Sequence, residues 1–207
     1  MDSIEEYFAA AGRTPKGRRA RRAIFTATRN LVITEGLQLT SLEAIANAAG
    51  LSQAALRHHF PTRDDLLSEF FVAATRWFRV QLTALLTGGD RPAREQLRQC
   101  IAWHIEYMEH VNTVLWLEGS AYWIRQLRPR QARDGFYRWL LNHYARLIRE
   151  VQPALRPKEA RQRAYTVLSL VLGAWITHGR GSALRGTGSV TEQRQLLVNE
   201  AMTIVTR

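Results

Sequence analysis

The stretch TSLEAIANAAGLSQAALRHHFPTRDDLL, residues 40–67, leaves the least freedom in how this chain can fold. Thr40 with Glu43 reads as a capping box, the hydroxyl oxygen accepting from the amide three residues on while the carboxylate reaches back. Leu42, Ile45 and Ala49 then recur at helical spacing on one narrow face. Gly50 supplies the backbone freedom that stops the helix, and Ser52 is a good N-cap for a second one. That second helix, small and polar except for Leu56 and Phe60, must end before Pro61, which has no amide and disfavours a helical residue before it. Two short capped helices around a glycine turn describe a helix-turn-helix.

The charge agrees with that reading. Of the chain's net +11, residues 13–63 hold nine Lys/Arg against Glu35 and Glu43, whereas residues 1–12 are acidic and residues 64–207 carry their excess much more thinly. A basic surface beside a helix-turn-helix favours a polyanion as partner. Arg18, Arg19, Arg21 and Arg22 crowd the start of a helix expected over residues 17–35, where cations oppose the helix dipole. A phosphate backbone accounts for that placement better than helix stability does.

The pattern Thr-Ser-Leu-x-x-Ile-Ala-x-x-Ala-Gly-Leu-Ser, followed by Leu56, His59-Phe60 and Arg63-x-x-Leu66, resembles the signature of the tetracycline-repressor (TetR) family. The resemblance is specific over about residues 18–67, read from the sequence; farther on, only length and helix layout match. It implies an all-α chain with three helices in a helix-turn-helix domain and six in a bundle that binds ligand and dimerises. One position departs from the family pattern. Arg57 stands where the family usually has a tyrosine that contacts DNA phosphate, and an arginine could bind phosphate or read a guanine edge.

The expected division is an N-terminal extension (1–12, mobile or loosely packed), a DNA-binding domain (13–63) and a ligand-binding and dimerisation domain (64–207). Candidate DNA contacts are Arg18, Arg19, Arg22, Thr40, Ser41, Ser52, Gln53, Ala54, Arg57, His58 and Arg63. Gln53 is the foremost candidate for reading a base, since N-terminal residues of a recognition helix usually meet base edges.

From residue 62 onward the text is helical. Thr62 can cap a long helix that carries Leu67, Phe70, Phe71, Ala74, Trp77, Phe78, Gln81 and Leu85 until the break at 87–90. Further helices are expected over residues 93–110, 112–118, 132–151, 158–178 and from Thr191, with an apolar stretch at 121–127 interrupted by Arg128-Pro129 and a loop at 179–189. The distal region is rich in large rings accompanied by a few polar atoms, a lining that suits a small-molecule pocket. Trp77, Trp103, His104, Tyr107, Trp116, Glu118, Tyr122, Trp123, Trp139, His143 and Trp175 are the candidate ligand contacts, for a small, largely apolar or aromatic effector. Broad stripes at Ala164, Val167, Leu168 and Val171 and at Leu197, Ala201 and Ile204 are assigned to a homodimer interface.

Other chemistry finds no support. There is no glycine-rich phosphate loop, no cysteine pair and no His-Glu-x-x-His, so neither an enzyme nor a cofactor is expected. His58 and His59, adjacent on a helix, point about a hundred degrees apart and chelate one metal poorly. His104, His143 and His178 lie on apolar stripes, where a satisfied core residue is the commoner role, and no metal is expected. Cys100, the single cysteine, reads as a small buried hydrophobe. No run of about 18 apolar residues offers a membrane span, and the acidic start lacks signal-peptide character, so a cytoplasmic protein is expected. Two readings follow: a ligand-responsive, DNA-binding homodimer of the repressor type, or a helical adaptor that turns the same basic face to another acidic partner.

Overall fold

The computed structural model describes residues 3–87, 90–110, 113–178 and 188–207. Among them every regular element is an α-helix: α1 (Ile4–Ala9), α2 (Pro15–Glu35), α3 (Leu42–Ala48), α4 (Gln53–His59), α5 (Arg63–Thr87), α6 (Ala93–His110), α7 (Thr113–Arg125), α8 (Leu127–Val151), α9 (Pro157–Thr177) and α10 (Val190–Thr206). The all-α expectation holds, and ten helices replace nine because the N-terminal extension is itself helical. The chain forms two compact units, Met1–Phe78 with Val114–Asp134 and Arg79–Thr113 with Gly135–Arg207. The division falls inside α5 and α8, so the first unit is larger than the 13–63 segment expected to bind DNA.

Several boundaries move for local reasons. α2 starts at Pro15, not at residue 17, because Thr14 caps it by accepting from the Gly17 amide at 3.0 Å, and proline fits the first helical position. The arginines therefore begin in its second turn, which weakens the dipole argument for their placement. The helix expected to end near Gly119 runs on to Arg125 as α7. Arg128-Pro129 does not interrupt α8 but lies in its first turn, where an amide has no intrahelical acceptor to lose. Ser189, not Thr191, caps α10, through a reciprocal box with Glu192. The break at residues 88–89 and most of the expected loop, residues 179–187, lie outside the described residues.

The first unit is built on phenylalanine and leucine. Ile24, Phe25, Val32, Ile45, Leu56, Phe60, Leu66, Leu67, Phe70 and Phe71 are all buried together. Phe25 lies 4.7 Å from Phe70 and 5.1 Å from Phe8, centroid to centroid. Phe8 is only 1% exposed, so the N-terminal extension, expected to pack loosely, is docked. Gly119 of α7 is where the backbone comes closest to a ring: a Cβ there would stand 2.7 Å from Phe71 Cε1. Alanine is the better helix former by about 1 kcal/mol, and this approach is what only glycine permits.

The second unit packs α6 and α9 with α10, and α8 supplies Leu140, Tyr144, Leu147 and Ile148 to its interior. The buried face of α9 is Ala160, Ala164, Val167, Leu168, Val171, Ala174 and Trp175, and that of α10 is Val198, Ala201, Met202 and Val205. This overturns most of the residues assigned to a dimer interface. Ala164, Val167, Leu168, Val171 and Ala201 face the protomer's own core, and Leu197 and Ile204 are half-buried. A helix covered on one side and free on the other puts its most apolar stripe inside. What α9 leaves outside is Tyr165, Ser169, Gly173 and Ile176, and α10 adds Leu196.

Candidate nucleic-acid interface and aromatic clusters

The helix-turn-helix forms from the capping chemistry its sequence carries, shifted by one residue at the first cap. Ser41, not Thr40, begins α3, its hydroxyl oxygen accepting from the Ala44 amide at 3.0 Å. Gly50 turns the chain with φ +66°, and the Leu51 amide closes the end of α3 on the Ala46 carbonyl at 2.9 Å. Ser52 then caps α4 by accepting from the Ala55 amide at 3.1 Å. α4 is two-faced. Leu56 and the adjoining Phe60 are buried, while Ser52, Gln53, Ala54, Arg57 and His58 are all exposed.

Other candidate contacts are placed differently. Thr40 is fully buried, its hydroxyl donating to the Gly36 carbonyl at 2.9 Å, and is not available to a phosphate. Arg63, assigned to phosphate, is partly buried and spends its donors on the chain: Nε reaches the Thr40 carbonyl at 2.7 Å and Nη2 the Leu37 carbonyl. It staples the loop before α3 to the start of α5. Thr62 and Asp65 form the reciprocal cap of α5 as expected, with the Thr62 amide to Asp65 Oδ2 and the Asp65 amide to Thr62 Oγ1 both at 3.1 Å.

The arginines of α2 have separate fates. Arg19 is exposed, while Arg18 donates to the Gly12 carbonyl at 3.3 Å and Arg22 pairs with Glu6 at 2.6 Å. Arg21 is buried, its guanidinium 4.4 Å from the Phe8 ring and 5.1 Å from that of Phe60, with Nε donating to the Phe8 carbonyl at 3.0 Å. Burial lowers its pKa and Glu69, 3.8 Å away, partly opposes that. Glu69 in turn pairs with Arg128 at 2.7 Å. Nothing in the sequence pattern signals this buried cation. His59 is half-buried, and burial first, then His58 and Arg21, lower its pKa.

The candidate ligand contacts fall into both units. In the first, Trp116 packs edge-on to Trp123 at 5.2 Å, and Trp123 and Tyr122 both meet Phe71. The Tyr122 hydroxyl lies 3.3 Å from Ser68 Oγ, whereas the buried Trp123 Nε1 has no hydrogen-bond partner. Trp77 is buried and Glu118 is half-buried near Gly36. In the second unit Trp103 stacks on Tyr107 at 5.5 Å, and Tyr107 and His104 lie 6.5 and 6.2 Å from Trp175, centroid to centroid. Trp139 and His143 form a separate pair at 4.7 Å, Arg79 lying 5.2 Å from the Trp139 ring and His143 Nδ1 2.9 Å from the Trp139 carbonyl. Burial drives the pKa of His104 down to about 3, so it is a neutral ring at neutral pH.

Two further groups in this unit escaped the sequence reading. Glu109 accepts from Arg194 at 3.3 Å and lies 3.3 Å from His178 Nε2, joining α6 to α10 beside the end of α9. Cys100 Sγ lies 3.3 Å from the Tyr144 hydroxyl; both are fully enclosed, and burial pushes the thiol up to about 12. Among the described residues no group of three or more His, Cys, Asp or Glu side chains could hold a metal ion, and no helix is long and apolar enough to cross a membrane.

Residues 24–70 match the bacterial regulatory proteins of the tetR family. The family likeness is carried by that segment, about a quarter of the chain. The segment matched covers the whole helix-turn-helix, together with most of α2 and the first turns of α5. The HTH-type transcriptional regulator BetI of Burkholderia thailandensis is 26% identical over 186 residues, covering 88% of this chain and 92% of its own. In fold, a TetR-family regulator from Streptomyces coelicolor superposes with a TM-score of 0.75 at 19% identity, covering 100% of this chain and 98% of its own. A transcriptional regulator from Saccharomonospora viridis, solved in complex with choline, does so with a TM-score of 0.67 at 24% identity, covering 87% and 94%. These relatives are regulators of transcription and not enzymes, and their fold has the same N-terminal helix-turn-helix followed by a helical domain.

Proposed function

We propose that this protein is a ligand-responsive repressor of the tetR family that binds operator DNA as a homodimer in the cytoplasm. The observation that carries the reading is the two-sidedness of α4. Its inner side is held by buried Leu56 and Phe60, so its outer side presents Ser52, Gln53, Ala54, Arg57 and His58 as one fixed surface. A helix of that kind enters a major groove with its first residues against the bases. Gln53 can pair with adenine N6 and N7 through its amide. Arg57 sits in the last turn and leans toward the Pro61 carbonyl, at 3.5 Å, which favours a phosphate role over base reading. Arg19 and Ser41 are the exposed candidates for further phosphate contacts.

Dimerisation uses the outward face of α9 and α10 in place of the stripe first assigned: Tyr165, Ser169, Gly173, Ile176 and Leu196. The effector is a small molecule bound among the rings of the helical domain, and the choline complex of the S. viridis relative supports a compact organic ligand. Effector binding lowers DNA affinity by favouring a dimer whose recognition helices no longer fit two half-sites, which requires a difference in effector affinity between the two states. Selection of bound fragments from a random DNA pool, followed by salt titration on the recovered duplex, tests the reading. The expected result is a two-fold symmetric site preferred over random sequence by about a thousandfold or more. Equal affinity for all duplexes would overturn it, and Gln53→Ala is expected to relax preference at one base pair at a cost of about 1–3 kcal/mol.

A further inference from the structure

The N-terminal helix brings acid to the most basic surface of the first unit. α1 runs antiparallel to α2, since Gly12 meets Arg18, Phe8 meets Arg21 and Phe25, Glu6 meets Arg22 and Glu5 meets Arg29. Its seat does not depend on the two carboxylates. Phe8 is sunk between Phe25 and Phe60, with centroids at 5.1 and 5.9 Å, and Arg21 grips the Phe8 carbonyl. The glutamates are thus delivered on an anchored helix and cannot drift from the arginines they face. Glu6 Oε2 lies 2.6 Å from Arg22 Nη2, both side chains 48% exposed, and Glu5 pairs with Arg29. The Glu6–Arg22 pair is open and adds little to stability, whereas the Glu5–Arg29 pair is more enclosed, with side chains 21% and 36% exposed.

We infer that Glu5 and Glu6 set the overall strength of DNA binding: by occupying Arg29 and Arg22 they weaken binding to DNA of any sequence, the preferred one included, and leave base reading by α4 untouched. This rests on the DNA-binding reading above. Sequence-independent affinity comes from cations that displace counterions from phosphates, and each cation counts whether or not the sequence is right. Specificity is the ratio of two affinities, and a phosphate contact common to both cancels from it, so the pairs change how tightly the chain holds DNA and not which duplex it prefers. A tethered carboxylate competes with phosphate for the same guanidinium at every site on the genome. Arg13, Lys16 and Arg19, exposed on the same segment, remain to hold the backbone.

The test uses the full chain, as wild type, E5Q/E6Q, R22Q/R29Q and the fourfold variant, titrated with salt against a random-sequence duplex and the selected duplex. E5Q/E6Q is expected to bind the random duplex about two- to fivefold more tightly. Its salt slope should steepen by about 0.9 for each arginine released, on the selected duplex as on the random one, with the ratio of the two affinities unchanged. The fourfold variant should lose that gain, because the freed arginines are its source. Wild-type affinity and slope for E5Q/E6Q on random DNA, with the selected duplex still preferred, would overturn the inference and leave the DNA-binding reading standing. A gain that survives in the fourfold variant would also overturn it. A wild-type chain with no preferred duplex would bring down the reading itself and this inference with it.

Discussion

The two units both bury aromatic rings, but of different kinds. In the first, Phe8, Phe25, Phe60, Phe70 and Phe71 pack ring on ring, and most polar groups buried there are answered close by: Thr28, Thr40 and Thr75 by carbonyls four residues back and Arg21 by Glu69, while Trp123 Nε1 has no partner. In the second, the enclosed groups include His104, Tyr144, Cys100 and Trp175, each with an atom that can donate, accept or titrate. An interior made mostly of hydrocarbon needs few partners and holds a helix face still, as the proposed DNA-reading surface requires. An interior of polar rings must satisfy each atom, and the same atoms can respond to pH or to a guest. On the function proposed above, the first region keeps a shape and the second responds to chemistry.

Three measurements would break or sharpen that contrast, taken from the largest effect to the smallest. Phe25→Ala removes the ring between Phe8 and Phe70, and its expected cost is about 3–5 kcal/mol in urea unfolding followed in the first unit. A cost below about 1 kcal/mol, the range of a surface change, would mean that those rings are not a tight interior. His104 should make the second unit sensitive to acid. Its folded-state pKa is about 3 against 6.5 for a free ring, so between those values the unfolded chain binds a proton that the folded one refuses. Stability is full above pH 6.5, falls as pH drops, and levels out near 3. By linkage the loss at pH 4.5 relative to 7 is about 2–3 kcal/mol, and His104→Leu should remove it; an unchanged pH profile for that variant would sink the assignment. Smallest is the Cys100–Tyr144 contact. Tyr144→Phe should cost about 1 kcal/mol, and native Cys100 should resist a thiol reagent at pH 8 until the unit opens, because burial holds the thiol near 12. Rapid labelling of the folded protein would show that this interior admits solvent.

The helix-turn-helix was legible because its signals are local. Gly50, Ser52 and Pro61 act within a few residues of themselves, and all three do what their chemistry requires. Thr40 and Ser41 show the resolution of such reading: either hydroxyl could cap α3, and the choice is made by the Gly36 carbonyl, which takes the threonine inward. The docked α1 was not legible, since six residues with two glutamates resemble a solvated tail until Phe25 and Phe60 provide a slot for Phe8. Arg63 looked like a surface cation because nothing along the chain announces that two loop carbonyls lie within its reach. The α9 stripe was seen correctly as apolar and assigned to the wrong neighbour. Periodicity tells that a face is covered, and a core and a second subunit cover it equally well. Of the aromatic candidates, the sequence could name the rings but not group them, since grouping is a matter of which helices are neighbours.

The close approach of Gly119 to Phe71 ties together two positions that stand far apart in the chain. A side chain at 119 and a full phenyl ring at 71 cannot both occupy that space. Substitution at one should therefore be tolerated in descent only alongside a smaller residue at the other. Relatives that carry alanine or serine at the first position are expected to carry leucine or valine at the second. Those that keep the ring are expected to keep the glycine, so the pair forms a signature of shared ancestry within the family that owes nothing to DNA or effector.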